Sequence, residues 1–131
     1  MSQKHDEFRD YCIELLSGLR QGEVVAKKMF GGTGISIDGK TFAIIALEAL
    51  WLKGDEVSKA KFADAKCQIF TYEADGKLRT MNYFSAPEAA MESASQMRPW
   101  ALLAWDAALR ASAAKASKKK TPSVARKPAS S

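Results

Sequence analysis

Ala26-Lys27-Lys28-Met29-Phe30-Gly31-Gly32-Thr33-Gly34-Ile35-Ser36-Ile37-Asp38-Gly39-Lys40-Thr41-Phe42-Ala43 is the stretch whose reading decides the fold. Val24, Val25, Met29 and Phe30 lead into the double glycine, and Ile35 and Ile37 alternate after it. Asp38-Gly39 then separates two apolar runs. Alternation of period two marks strands, and an Asp-Gly pair between them marks a two-residue hairpin turn. The segment predicts a strand, a glycine bulge, a strand, a tight turn and a third strand. Glycine suits a bulge or sharp bend because it enters positive φ at little steric cost. A two-residue turn at Asp38-Gly39 sets Ile35 opposite Phe42 and Thr33 opposite Ile44 on one face. Gly34, Ser36, Thr41 and Ala43 are then left on the reverse face.

Upstream, Phe8, Cys12, Leu15, Leu16 and Leu19 recur at helical spacing, which predicts an amphipathic helix over residues 5–19. Downstream, a turn at Glu48-Ala49 folds Leu50-Trp51-Leu52-Lys53 back along 42–47. Asp55 is placed to cap a helix over 56–65, with Val57, Ala60 and Phe62 facing inward. Asp75-Gly76 gives a second hairpin, pairing Phe70 with Met81, Tyr72 with Arg79 and Gln68 with Tyr83. One of its faces becomes a ladder of aromatic and methionine side chains. A short helix starts at Pro87, and Pro99 opens another that runs from Trp100 to about Ala113. Trp100 and Trp105 are five positions apart, about 140° around a helix. Either that helix is sandwiched, or one indole sits at a rim where it suits a dimer or partner contact.

The expected class is α+β: an antiparallel sheet with helices mainly on one face. The order is helix, three or four strands, helix, two strands, two helices. Residues 1–113 form the domain, a size that buries roughly 60–68% of the unfolded surface in one core. Residues 114–131, rich in Lys, Ala, Ser and Pro, are expected to be a disordered basic tail.

Charge follows the same division. Residues 111–131 hold six of the 20 basic residues and no acid, leaving 14 bases against 15 acids in 1–110. Lys115, Lys118, Lys119, Lys120, Arg126 and Lys127 therefore carry the formal +5 of the chain. Six such charges give weak, salt-sensitive, sequence-blind attachment to phosphates, or serve only to keep the chain soluble. Direct DNA recognition by the domain needs a basic stripe, which its near-neutral charge disfavours.

The pieces Phe8-Arg9-Asp10-Tyr11, Lys27-Lys28-Met29-Phe30-Gly31-Gly32, Gly34, Asp38-Gly39-Lys40, Phe42-Ala43, Leu52-Lys53, Met81-Asn82-Tyr83-Phe84, Pro87-Glu88 and Pro99-Trp100 occur in a characteristic order. Together they resemble the N-terminal domain of the TfoX/Sxy competence-regulator family, from about Phe8 to Leu109. The resemblance implies a secretion-chaperone-like α+β fold and a regulatory role. Full-length members act as transcriptional co-activators with the cyclic-AMP receptor protein and carry a C-terminal helical domain. Here a basic tail stands where that domain would begin.

Catalytic signals are sparse. Gly31-Gly32-Thr33-Gly34 lacks the following helix and the Gly-Lys-Ser/Thr that a phosphate-cradling loop needs. His5 is the single histidine and has no nucleophile or second metal ligand beside it. Asp6-Glu7 and Asp55-Glu56 sit at helix starts, where acids complement the dipole. Cys12 and Cys67 read as small apolar residues of a reduced, cytoplasmic protein. The chain is expected to be non-enzymatic, to need no cofactor or metal and to meet no membrane. It should work through a protein partner, in the transcription machinery by resemblance, or through a homodimer. Lys27 and Lys28 serve as edge guards or as contacts for an acidic partner. An enzyme with a small-molecule pocket beside the Gly31-Gly32 bend is the remaining alternative.

Overall fold

Six strands form one antiparallel sheet in the order β1-β2-β3-β4-β6-β5. The computed structural model describes residues 3–19, 22–29 and 32–120. Helix α1 (Gln3–Ser17) precedes β1 (Val24–Met29), β2 (Gly32–Ile37), β3 (Lys40–Ala46) and β4 (Ala49–Lys53). After α2 (Lys59–Asp64) come β5 (Ile69–Ala74) and β6 (Lys77–Ser85), a 3₁₀ turn (Glu88–Glu92) and α3 (Ala94–Lys120). The α+β architecture read from the sequence is the observed one.

Helix α3 packs on β3, β4 and α1, so the main core lies on one face of the sheet. Cys12, Leu15, Leu16 and Leu19 meet Ile35, Ile37, Phe42, Ile45, Leu50 and Leu52 there. From α3 it is Met97, Ala101, Ala104, Trp105 and Ala108 that face this layer. The alanines let the helix backbone come close to the sheet, and Trp105 fills the space beside them. Its indole meets Phe42 edge-on with ring centroids 5.7 Å apart. Trp100 is half-buried and packs on Phe62. The choice the spacing left open is thereby settled, with Trp105 inside and Trp100 at the rim.

Both Asp-Gly turns form as expected. Asp38 and Gly39 have φ of 53° and 76°, and Asp75 and Gly76 have 54° and 75°. Positive φ at both central positions is the turn whose twist matches antiparallel strands. The β3–β4 turn falls at Leu47-Glu48, one residue earlier than expected, and there two ordinary residues take the same conformation, at 53° and 60°.

The expected glycine bulge or bend lies partly outside the described residues, and the irregularity that is described falls further along β2. Gly32 is an ordinary ladder partner of Met29, while Phe30 and Gly31 lie outside the described residues. What demands glycine at position 32 is space, because a Cβ there would sit 2.5 Å from the Ile45 carbonyl oxygen. The irregularity in pairing lies between Ile35 and Ser36, opposite an extra residue in β3. Thr41 still faces Ser36, but Ile35 now pairs with Ala43 and Thr33 with Ile45. Phe42 and Ala43 both enter the core, so every residue after them changes face relative to the expected register. Ile45, not Ile44, joins the main core. Ile44 goes to the open side.

Other departures are local. Phe70–Met81 and Tyr72–Arg79 pair as expected, but a second irregularity after Ile69 puts Ile69 opposite Phe84. Gln68 accepts a hydrogen bond from the Ser85 amide instead of facing Tyr83. Helix α2 is shorter than expected, and of the three residues assigned inward only Phe62 is buried; Val57 and Ala60 are exposed. Asp55 does cap the turn before it, its Oδ1 accepting from the amides of Val57 and Ser58.

Helix α3 starts six residues before the expected Trp100 and runs through Pro99 to Lys120. Ser93 caps it, its hydroxyl accepting from the Gln96 amide at 3.2 Å. Ser93-x-x-Gln96 is a capping-box pattern that the sequence displayed and the weight given to Pro99 obscured. The proline removes the bond to the Ser95 carbonyl and crowds it, and because Ser95 is exposed, water can take over the lost bond. At the far end, residues 114–120 are helical where composition predicted disorder. Alanine and lysine are good helix formers, and propagation from a packed helix is easier than nucleation. The rest of the proposed tail, 121–131, lies outside the described residues.

Candidate functional sites on the sheet and beside the last helix

The open face of the sheet is apolar although, among the described residues, no helix covers it. Ile44, Trp51 and Tyr83 form a second buried cluster, with Phe70 and Met81 packed against it. Trp51 meets Phe70 edge-on, centroids 5.0 Å apart, and its Nε1 donates to the Ala46 carbonyl at 2.9 Å. That bond satisfies the one polar atom of the indole and fixes the ring as a floor.

The sheet closes around this floor. β2 and β5 stand four strand steps apart in the sheet order, which in a flat sheet is about 19 Å. Gly32 and Thr33 of β2 and Phe70 and Tyr72 of β5 nevertheless line one trough of about 300 Å³, together with Ile44, Met81 and Tyr83. The sheet therefore curls, and the β5–β6 hairpin leans over the open face. Phe70 and Met81 are half-exposed and Tyr72 is 39% exposed, so the trough presents aromatic surface to solvent. It lies beside Gly32, where an enzymatic pocket was the alternative reading, and carries no Asp, Glu, His, Lys or Cys in its wall.

A second depression lies where β3 begins and β4 ends. Lys40, Thr41 and Lys53 from the strands meet Ala108, Ala111, Ser112 and Lys115 of α3 around about 380 Å³, with Tyr83 at the boundary between the two sites. The Lys53 ammonium lies 5.2 Å from the Tyr83 ring centroid. Burial, and the nearby charge of Lys115, hold the Lys53 pKa below the ordinary lysine value. Next to it, Arg110 donates to Asp55 through Nε at 2.7 Å and Nη2 at 2.9 Å. These hydrogen bonds outweigh partial burial and draw the Asp55 carboxyl down to about 2. The pair clips α3 to the loop after β4.

The family model for the TfoX N-terminal domain matches residues 14–108. The chain belongs to this family. The TfoX N-terminal match spans β1 through most of the packed part of α3, and so includes the strands of both sites. No curated protein matches the chain.

The residues singled out from the TfoX-like sequence pattern fall in different places. Lys27 and Lys28 are exposed on β1, an edge strand, and Met29 ends it opposite Gly32. Gly34 pairs with Lys27 on one side and Ile44 on the other. Asp38 and Gly39 form the β2–β3 turn. Lys118, Lys119 and Lys120 end α3, whereas Arg126 and Lys127 lie outside the described residues. Burial pushes the Cys12 thiol up to about 12, as befits an inert core residue. Among the described residues, no three His, Cys, Asp or Glu side chains converge as a metal site, and no helix is long and apolar enough to cross a membrane.

Sequence reasoning missed the lysine groove altogether. Lys40, Lys53 and Tyr83 all stood within the family-like pieces, but 43 positions of chain separate Lys40 from Tyr83. Only their pairing through β3, β4 and β6 brings them together.

Proposed function

We propose that this domain is a non-enzymatic regulatory module of the cytoplasm that docks a protein partner through the open face of its sheet. The observation that carries the reading is the uncovered aromatic trough of Phe70, Tyr72, Met81 and Tyr83 over Trp51. Rigid aromatic side chains with partial exposure are the usual anchors of protein contacts. Walls without carboxylate, imidazole, amine or thiol groups favour binding of apolar side chains over bond-making. The kinship supports a partner in transcription or competence control. The lysines after Lys115 would add loose attachment to nucleic acid.

The test is Tyr72→Asp, made in the full chain. A photo-crosslinker placed at position 78, on the same hairpin, should yield one defined adduct in the native cell, and the substitution should abolish it without altering the fold. An unchanged adduct would remove the trough from the interface. A concentration-dependent dimer, dissolved by the same substitution in sedimentation, would assign the face to a second copy instead. Ending the chain after Lys115 tests the tail, because DNA retention at low salt should then fall.

A further inference from the structure

The groove between α3 and the start of β3 gathers three like charges, and among the described residues only Lys40 has an ion pair, with Asp38 outside the groove. Three of its nine lining residues are lysines and none is acidic. They come from three elements: Lys40 from β3, Lys53 from β4 and Lys115 from α3. The carboxylate closest in sequence to Lys53 is Asp55, and both its oxygens are taken by Arg110. Lys40 reaches only the exposed Asp38, at 3.6 Å. Among the described residues no carboxylate lies within 4 Å of the Lys53 or Lys115 ammonium. Bringing such groups together raises the energy of the empty protein, and a bound anion would lower it.

The remainder of the wall limits the kind of anion. Thr41 and Ser112 bring hydroxyls that can donate to oxygen. Tyr83 is 7% exposed, and burial, with no hydrogen bond to offset it, pushes its phenol upward. Ala108, Ala111 and the Tyr83 ring supply an apolar wall. A single carboxylate would answer one ammonium and leave two. A phosphoryl chain carries several oxygens with charge spread along it, and lysines serve phosphate as point charges. A volume of about 380 Å³ holds more than a lone phosphate.

We infer that this groove binds a di- or triphosphate group, with Lys40, Lys53 and Lys115 neutralising its charge and Thr41 and Ser112 donating to its oxygens. The site is separate from the apolar trough, and Tyr83 is the residue they share. Occupancy here would join α3 to the ends of β3 and β4. A phosphorylated small molecule would thereby act beside the trough through Tyr83, the residue common to both linings.

Amide spectra of the full-length, isotope-labelled protein would test this with inorganic pyrophosphate and adenosine diphosphate as separate probes. Signals of Lys40, Thr41, Lys53 and Ser112 should shift with either probe at about 1 mM or below. Lys53→Gln and Lys115→Gln should each weaken binding roughly tenfold, the loss of one close charge. Lys115 is exposed on a helix, so its variant remains informative even where Lys53→Gln fails to fold. Lys61→Gln, outside the groove, should leave binding unchanged. Tighter binding of the nucleotide than of pyrophosphate would assign the apolar wall to its nucleoside, and equal binding would assign the site to the phosphate chain alone. Absence of these shifts at about 5 mM probe, or equal affinity in all three variants, overturns the site. So does a response of the same amides to a short DNA duplex but to neither small anion. Both readings of the sheet face would survive that failure, because none of the three lysines lies in the trough.

Discussion

On one face of the sheet, Phe42, Leu52 and Phe84 meet the helices and are sealed from water; on the other, Ile44, Trp51 and Tyr83 pack with Ala46, Ala49, Phe70 and Met81 of the sheet itself. The two clusters use the same kinds of side chain, and each largely excludes solvent at its centre. They differ in what surrounds the centre. The helical face ends in alanines and Trp105 packed tightly on strands, whereas the open face ends in Phe70, Met81 and Tyr72 turned partly outward. One side is spent on holding the fold and the other retains surface that a partner can bury. A bulge at Phe42 assigns residues between them, because the extra residue turns Ile45 to the helices and Ile44 to the open face.

Substitution can break this comparison most directly at Phe42. Phe42→Ala removes a fully buried ring that touches Trp105, and should cost about 3–5 kcal/mol in urea unfolding. A loss of less than about 1 kcal/mol would mean that the helical face closes over the gap and is less rigid than its packing suggests.

The Asp55–Arg110 clip should have a smaller, pH-dependent effect. Asp55 titrates near 2 in the folded chain against a reference of 3.8. Its folded-state pKa is depressed, so the stability it contributes is complete above about pH 4 and is lost as pH falls towards 2. Asp55→Asn should therefore cost about 1 kcal/mol at pH 7, a figure reduced for the solvent around Arg110, and almost nothing near pH 2. Urea midpoints of the two proteins at several pH values measure this directly. A gap that stays constant with pH would show that the loss does not come from the charge of the carboxylate, and so not from its pairing with Arg110.

Tyr72→Asp should have the smallest effect on stability. The side chain is 39% exposed on an edge strand, so the expected cost is within about 0.5 kcal/mol. A cost near that of Phe42→Ala would make the open face a second core, and the contrast between the faces would collapse.

The sequence is informative where a signal is local. The Asp38-Gly39 and Asp75-Gly76 turns, the stripe Cys12, Leu15, Leu16 and Leu19, and the Phe70–Met81 ladder all follow from neighbours within one or two elements. It misleads where the outcome depends on pairing across elements. An even count outward from a two-residue turn sets Ile35 opposite Phe42, and nothing local marks the residue at which the count slips. Proline favours first turns, which makes Pro99 resemble a helix start, yet Ser93 with Gln96 caps the helix earlier. The lysine groove had no sequence signal, since its three charges share no element.

By itself, then, the amino-acid order determined the elements, the hairpins, the α+β class and the kinship, because periodicity and turn chemistry act over a few residues. Tertiary structure alone decided which isoleucine of β3 faces the helices, how far the sheet curls and that Lys40, Lys53 and Lys115 share one groove. Those results depend on strand register and on the close approach of α3, which the chain fixes only when distant segments compete for the same core.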